Sequence, residues 1–260
     1  MPFSQSADNR LRPWLERPIA HRGLHGPEVI ENSASAFEAA IAAGYGVETD
    51  LQETADGAAV AFHDDALDRL TDAQGPVRRK TAAALSRILL RGGADRILPL
   101  ADLLSLVGGR TPLLLEVKCD AENAARFGAR VAGALDGYRG PVAVMSFEPR
   151  AVGAARVVRP GLLRGLVAMR FTAADWPKLR PGARLARTWL VSAPWTRPHF
   201  IAYDCVALPH PAPALMRIAG APVFAWTVTS DGQASCVKRH ADAIIFEGFK
   251  PDARHAMPPA

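Results

Sequence analysis

The sequence predicts an α/β protein of the (β/α)₈ TIM barrel class. Eight short apolar or β-branched runs recur along the 260 residues, and most are separated by helical segments rich in alanine, leucine and arginine. Strands that alternate with helices favour a parallel sheet. Eight such units in about 250 residues have the size of a closed barrel. A doubly wound open sheet is the alternative that this alternation leaves open.

The elements follow one another in a regular order. No proline- or serine-rich linker divides the chain, so we expect residues 1–260 to form a single barrel domain. Ser35 and Glu38 have capping-box spacing at the start of the first helix. We expect strands at 18–21, 47–52, 112–118, 141–147, 162–168, 200–207, 222–228 and 243–246, and helices at 33–43, 121–136, 148–158, 172–180, 211–219 and 230–240.

A β-hairpin is predicted after the second strand. Asp56-Gly57 lies between two β-patterned runs, which is a strong turn signal. Pairing Thr54 with Ala58 carries His63 back beside the second strand, whereas a slip of one residue would turn His63 to the other face. The stretch 64–111 then predicts a short, partly helical excursion before the third strand.

Composition limits the classes of function. The net charge is +5, but apart from Arg78-Arg79-Lys80 the basic residues are scattered, which argues against nucleic-acid binding. No apolar run approaches the ~20 residues that span a bilayer, and the N-terminus lacks the apolar core of a signal peptide, so we expect no stable membrane insertion. Three cysteines without metal-site spacing indicate reduced thiols and a cytoplasmic protein. Oligomeric state is left open.

Three carboxylates predict a cation site. Glu48 and Asp50 are two residues apart and share one face of a strand, and Glu116 lies near the end of the third strand within an apolar run. Converging acids cannot all stay ionised in a dry site without a cation, and Mg²⁺ or Ca²⁺ prefers carboxylate oxygens. The alternative is that each acid pairs with an arginine or lies at a solvated strand end.

Other side chains at these strand ends suit phosphate chemistry. His21 ends the first strand and His63 ends the hairpin, so both could move protons near neutral pH, although each could also be structural. Arg22 and Lys118 lie next to the expected ligands and offer donors to phosphate oxygens. Trp226, near the end of the seventh strand, fits an apolar wall for a substrate or the core equally well.

These residues form an ordered series that resembles the glycerophosphodiester phosphodiesterase family, a TIM-barrel family of the phosphatidylinositol-phospholipase-C-like group. The resemblance runs from about residue 18 to 247, nearly the whole chain. Its elements are His21-Arg22-Gly23, Glu31-Asn32, Glu48-x-Asp50, Thr54-x-Asp56-Gly57, His63-Asp64, Leu67-x-Arg69-x-Thr71, Glu116-x-Lys118, Ser146-Phe147 and Ala225-Trp226-Thr227.

The resemblance implies metal-assisted hydrolysis of a small glycerophosphodiester to sn-glycerol 3-phosphate and an alcohol. Mg²⁺ or Ca²⁺ is the implied cofactor, and Mn²⁺ also fits. By resemblance, His21 and His63 are the general acid and base, Glu48, Asp50 and Glu116 are the metal ligands, Arg22 and Lys118 lie near the phosphate, and Trp226 lies beside the substrate.

The chain also departs from the family pattern. Ser33 stands where threonine is commoner, and Glu247 stands where the family usually has aspartate, which leaves the role of Glu247 open. The short 64–111 excursion favours small water-soluble diesters over membrane lipids. Two alternatives remain: a related phosphodiesterase that acts on lysophospholipids or inositol lipids in a phospholipase-type reaction, and a catalytically inactive binding barrel.

Overall fold

The computed structural model describes residues 8–253. Eight parallel strands form a closed barrel, because the first strand pairs with both the second and the last. Two short antiparallel strands, β3 and β4, extend the sheet beyond β2. The strands are β1 (Ile19–Ala20), β2 (Gly46–Glu53), β3 (Ala59–Ala61), β4 (Leu98–Pro99), β5 (Leu113–Val117), β6 (Val142–Ser146), β7 (Leu163–Ala168), β8 (Phe200–Asp204), β9 (Val223–Val228) and β10 (Ala243–Phe246).

Helices surround the barrel, and short 3₁₀ turns lie at Asn9–Leu11, Val77–Arg79 and Cys205–Ala207. Within residues 8–253 the α-helices are α1 (Arg12–Leu15), α2 (Ala34–Ala42), α3 (Ala82–Leu85), α4 (Leu100–Val107), α5 (Ala124–Ala134), α6 (Pro149–Val158), α7 (Pro181–Thr188), α8 (Ala193–Thr196), α9 (Pro211–Ile218) and α10 (Asp231–Val237). The predicted (β/α)₈ barrel is therefore confirmed.

The barrel interior is apolar at its N-terminal end. Leu114 of β5 packs there with side chains of the other strands, and Phe200 and Phe224 stack with ring centroids 4.7 Å apart. Trp14 of α1, which is fully buried, belongs to the same cluster and closes this end. Because this end is filled with apolar side chains, the polar interior residues are confined to the carboxyl ends of the strands.

The predicted hairpin and its register are confirmed. Leu51 pairs with Ala61, and the Thr54 amide donates to the Ala58 carbonyl at 3.0 Å. The excursion after the hairpin is partly helical, as predicted, and it has its own small apolar cluster. The buried members of that cluster are Val60, Phe62, Leu67, Val77, Leu85, Leu90 and Ile97.

The prediction of a helix at 172–180 is wrong. Thr172 begins a single turn, in which the Trp176 amide donates to its carbonyl at 3.1 Å. Pro177 follows, and a proline disfavours the helical conformation of the residue before it. The helix begins instead at Pro181, whose missing amide hydrogen does no harm in a first turn.

One strand end and one helix cap also differ from the prediction. The strand predicted at 200–207 ends at Asp204, whose carboxylate accepts from the Val206 amide at 2.9 Å and starts a 3₁₀ turn. At the start of α2, the helix is capped by Ser33 rather than Ser35, because the Ser33 hydroxyl accepts from the Ala36 amide at 3.1 Å. Glu38, the other half of the predicted capping box, pairs with Arg110.

No helix within residues 8–253 is long and apolar enough to cross a bilayer.

Helices α5 and α6 approach each other closely at Gly128. A Cβ atom there would lie 2.4 Å from the Ala151 carbonyl oxygen, which belongs to the backbone and cannot turn away. We expect Gly128→Ala to destabilise the protein by about 1–3 kcal/mol. Gly133→Ala in the same helix has open space around the new methyl group and is expected to stabilise it by about 0.5–1 kcal/mol. Urea unfolding of both variants measures the difference, and equal stabilities would contradict this packing.

Candidate active site

The three predicted metal ligands meet inside the barrel mouth. Asp50 of β2 pairs in register with Glu116 of β5, and Glu48 lies one step down the same face. One oxygen atom from each of the three lies within 4.8 Å of the others. Glu48 and Asp50 are fully buried, and Glu116 is 6% exposed.

The carboxylate oxygens of this cluster fit a divalent cation. Within the described residues, Glu48 Oε1 is buried and has no polar partner, while Asp50 Oδ1 and Glu116 Oε1 are buried and pair with the Lys118 ammonium. A buried carboxylate oxygen without a partner is costly, and three carboxylates that meet at one place form the donor set that Mg²⁺ or Ca²⁺ binds. Glu48, Asp50 and Glu116 would hold such an ion.

Two cations flank the acids. Lys118 Nζ lies 3.1 Å from Asp50 Oδ1 and 2.8 Å from Glu116 Oε1, and Arg22 Nε lies 3.1 Å from Asp50 Oδ2. Burial would raise the pKa of Asp50, but Lys118 and Arg22 outweigh it and hold that pKa below its ordinary value. Burial would likewise lower the pKa of Lys118, but Glu116 and Asp50 raise it, so the lysine stays charged.

Glu48 is the acid that the two cations leave uncompensated. Its Oε2 accepts a hydrogen bond from the Arg22 backbone amide at 3.0 Å. Burial, and next the charge of Asp50, raise the pKa of Glu48 to about 8. Without a further cation this side chain therefore favours its protonated form near neutral pH.

His21 is held by a carboxylate on its outer side. Its Nδ1 lies 2.7 Å from Glu247 Oε2, while its Nε2 lies 4.0 Å from Glu48 Oε2. Because an ionised carboxylate only accepts hydrogen bonds, Nδ1 carries the proton and Nε2 faces the acid cluster. Burial would lower the pKa of His21, but the hydrogen bond that His21 donates to Glu247 and the charge of Glu48 outweigh burial and raise that pKa. His25 also lies near Glu247, at 3.6 Å.

His63 is held in the same way through a chain of ion pairs. Its Nδ1 lies 2.8 Å from Asp64 Oδ1. Arg69 donates to Asp64 at 2.6 Å and to Glu31 at 2.7 Å, and Glu31 in turn accepts from Arg22 at 2.9 Å. The hydrogen bonds of Arg69 lower the pKa of Asp64 to about 2, so this carboxylate is ionised at all physiological pH values.

The backbone of the first loop brings these groups together. Gly23 has φ +78°, and a Cβ atom there would lie 2.8 Å from the Ala36 backbone of α2, so only glycine fits. Asn32, with φ +56°, accepts from the Thr49 hydroxyl at 2.7 Å and donates to Asp50 Oδ2 at 3.0 Å. Both positions aim the loop into the barrel mouth.

An aromatic group lines the other side of the mouth. Trp226 is half-buried and meets Phe147 edge to face, with ring centroids 5.3 Å apart, and Lys118 Nζ lies 5.9 Å from the Phe147 ring. Trp176 and Phe171 extend the group. The indole Nε1 of Trp226 is buried and has no hydrogen-bond partner among the described residues. Trp226 thus contributes both to the core and to the wall of the mouth.

The structure brings all eight sequence-predicted site residues to one end of the barrel. Sequence reasoning assigned no role to several polar side chains that hold them in place. Four of these stood in the motif series without a role, and Glu247 was left open because it departs from the family pattern. The residues concerned are Glu31, Asn32, Asp64, Arg69 and Glu247.

Comparison with curated proteins finds relatives named glycerophosphodiester phosphodiesterase. A protein of Caldanaerobacter subterraneus subsp. tengcongensis named glycerophosphodiester phosphodiesterase is 33% identical over 108 residues, which are 38% of this chain and 44% of that one. One of the same name from Bacillus altitudinis is 35% identical over 111 residues, 40% of this chain and 45% of that one. The aligned region thus spans less than half the length of these relatives.

Comparison with solved structures and family models covers much more of the chain. A phosphodiesterase of Oleispira antarctica, solved in complex with the product sn-glycerol-3-phosphate, is 22% identical with a TM-score of 0.77 and covers 94% of this chain and 97% of that one. At this identity the likeness shows a shared fold. The model of the glycerophosphoryl diester phosphodiesterase family matches residues 21–248. The chain therefore belongs to the glycerophosphoryl diester phosphodiesterase family.

Proposed function

We propose that the chain is a divalent-cation-dependent phosphodiesterase that hydrolyses glycerophosphodiesters to sn-glycerol 3-phosphate and an alcohol. The observation that carries the proposal is the buried cluster of three carboxylates, Glu48, Asp50 and Glu116, in which Glu48 Oε1 has no polar partner and Glu48 Oε2 lies 4.0 Å from His21 Nε2. Family membership and the names of the relatives support it. The product bound to the Oleispira antarctica enzyme supports sn-glycerol 3-phosphate as the product here.

The charge balance of the mouth supports the need for a cation. Six carboxylates of the described chain meet there with three permanent cations, Arg22, Arg69 and Lys118. A phosphodiester is itself an anion, so this excess of negative charge would repel it. A bound Mg²⁺, Ca²⁺ or Mn²⁺ would offset most of this excess, would place a positive charge where the phosphate binds, and would act as a Lewis acid toward the phosphoryl oxygens.

His21 and His63 are the proposed acid–base pair. Each ring donates its Nδ1 hydrogen to a carboxylate, Glu247 or Asp64, so each Nε2 is left for the substrate. One imidazole takes the proton of the attacking oxygen, and the other gives a proton to the leaving alkoxide. The carboxylate partners fix the orientation of the two rings.

Arg22 and Lys118 are the proposed phosphate contacts, and Trp226 is the proposed wall for the carbon skeleton. Arg22 is already oriented by Glu31 and Asp50, so it loses little freedom when it binds a phosphoryl oxygen. Charge on the non-bridging oxygens would be stabilised by both side chains as it builds up in the transition state.

A substrate panel tests the proposal. Purified protein is assayed with several glycerophosphodiesters, and with lysophospholipid, in the presence of Mg²⁺, Ca²⁺ or Mn²⁺. Release of sn-glycerol 3-phosphate supports the proposal. Release of choline from the lysophospholipid alone would favour the phospholipase-type alternative, and absence of turnover with all three metals would favour an inactive binding barrel.

We also infer that the protein is cytoplasmic and that residues 1–260 form one barrel domain. Its reaction would serve the breakdown of glycerophospholipids and the supply of glycerol phosphate. The three cysteines Cys119, Cys205 and Cys236 are unpaired, which fits a reducing compartment.

Removal of divalent cations is expected to abolish turnover. Glu116→Gln should weaken cation binding and lower turnover by about two orders of magnitude or more, because it removes one of three charged oxygen ligands. Glu122→Gln, on the exposed surface, is the matched control and should change neither quantity. Calorimetric titration with Mn²⁺ and steady-state assays measure the two effects. Full activity after exhaustive dialysis against a chelator would contradict the cation requirement.

His21→Ala and His63→Ala are each expected to lower kcat by roughly 10²–10⁴-fold, with the far-ultraviolet circular dichroism unchanged. His240→Ala, in the turn after α10, serves as the control and should retain wild-type turnover. Near-normal kcat in either of the first two variants would remove that histidine from the acid–base pair.

The stability of the cation-free protein is expected to fall as pH rises from about 5 to 8. Burial raises the pKa of Glu48 to about 8 from its ordinary 4.5. The contribution of this side chain to the stability of the folded protein is therefore fully present below pH 4.5, and it is lost as the pH rises to about 8. A divalent cation should therefore raise Tm more at pH 8 than at pH 5, since it compensates the ionised form. In the Glu48→Gln variant the cation should raise Tm by the same amount at both pH values. Thermal unfolding with and without chelator measures these Tm shifts. Equal Tm shifts at pH 5 and pH 8 in the wild-type protein would contradict the raised pKa of Glu48.

A further inference from the structure

The helices outside β6, β7 and β8 carry an unusual charge. Residues 149–199, the basic sector, contain nine arginines and one lysine but a single acid, Asp175, hence a net charge of +9. The whole chain is only +5, so the other residues are net acidic. Strands β6, β7 and β8 are neighbours in the barrel, so their helices and loops cover one continuous side of it.

The cations of the basic sector are largely uncompensated. In the described part of the chain only Arg187 among them forms an ion pair with a carboxylate, that of Glu148. Arg164 is buried and donates to three backbone carbonyls. The local field is visible at His199, whose pKa is lowered to about 4 by burial and by the charges of Arg164 and Arg10.

Large apolar side chains are exposed on the same sector. Of the ten large hydrophobic residues that are exposed in residues 8–253, six belong to it, and their exposed fractions run from 46% to 78%. They are Val157, Val158, Leu185, Trp189, Val191 and Trp195.

Packing fixes one of these side chains against a neighbouring helix. The Trp195 ring covers Gly153 of α6, where a Cβ atom would lie 2.4 Å from the ring, and Arg156 donates to the Trp195 carbonyl at 2.7 Å. Leu185 and Trp189 lie one turn apart, since the Trp189 amide donates to the Leu185 carbonyl at 3.0 Å. Exposed apolar side chains and arginines thus occur together in the helices of the sector.

We propose that the basic sector is a peripheral docking face for an anionic lipid surface. Uncompensated arginines are attracted to anionic headgroups, while exposed tryptophan and aliphatic side chains enter the interfacial layer without spanning it. A second copy that docks through the same face does not fit, because two +9 faces repel each other. A nucleic acid would use the arginines but would leave the exposed valines and leucine in water, so lipid fits the whole face better.

Co-sedimentation of the full chain with vesicles tests the proposal without any need for catalytic activity. We expect binding to phosphatidylcholine vesicles that contain about 30 mol % phosphatidylglycerol, and little binding to phosphatidylcholine alone. Lys178→Glu combined with Arg180→Glu should weaken binding at least about tenfold, since each cation near the surface contributes about fivefold. Leu185→Ser combined with Val191→Ser should also weaken it, by removing apolar contact.

Matched controls carry the same changes elsewhere. Arg78→Glu combined with Arg79→Glu makes the same change in charge on the exposed 64–111 excursion, and Leu89→Ser removes an exposed leucine there. Both should keep near wild-type binding. The proposal is overturned if anionic vesicles do not bind the wild-type chain at about 0.1 M salt. It is also overturned if the 78/79 variant loses as much affinity for vesicles as the 178/180 variant. A third contradicting result is a 178/180 variant that binds vesicles normally but shows weaker binding to a short DNA duplex or weaker self-association.

Discussion

The mutual repulsion of buried carboxylates at one end of the barrel is the constraint on which the site depends. Glu48, Asp50 and Glu116 are removed from water, and Lys118 and Arg22 neutralise only part of their charge. Burial, and next the charge of Asp50, raise the pKa of Glu48. In the proposed function, a divalent cation would relieve this repulsion and would give a phosphodiester a positive charge to bind.

The barrel can hold such a cluster because the two ends of its interior differ in polarity. Apolar side chains such as Phe200 and Phe224 fill the N-terminal half of the interior, and Trp14 closes it. The in-register pairing of Asp50 with Glu116 then sets two acids side by side at the mouth. Histidines enter from loops, where each is oriented by its own carboxylate, so imidazoles and buried acids come together from elements far apart in sequence.

Sequence patterns predicted the fold and the main site residues for physical reasons that can be named. Period-two spacing placed Glu48 and Asp50 on one face, and the Asp-Gly turn returned His63 to that strand. The tertiary partners could not be read in this way. Glu247 lies 226 residues from His21, and no local pattern reports that contact. The helix expected at 172–180 failed because its composition suited a helix while Pro177 interrupted it.

Anomalous diffraction from a crystal of the wild-type protein soaked in Mn²⁺ tests most directly whether the buried carboxylates bind a divalent cation. We expect a strong manganese peak between the three carboxylates, within coordination distance of Glu48, Asp50 and Glu116, and loss of that peak in the Glu48→Gln protein. A crystal that binds Mn²⁺ only elsewhere, with Lys118 alone compensating Asp50 and Glu116, would contradict it.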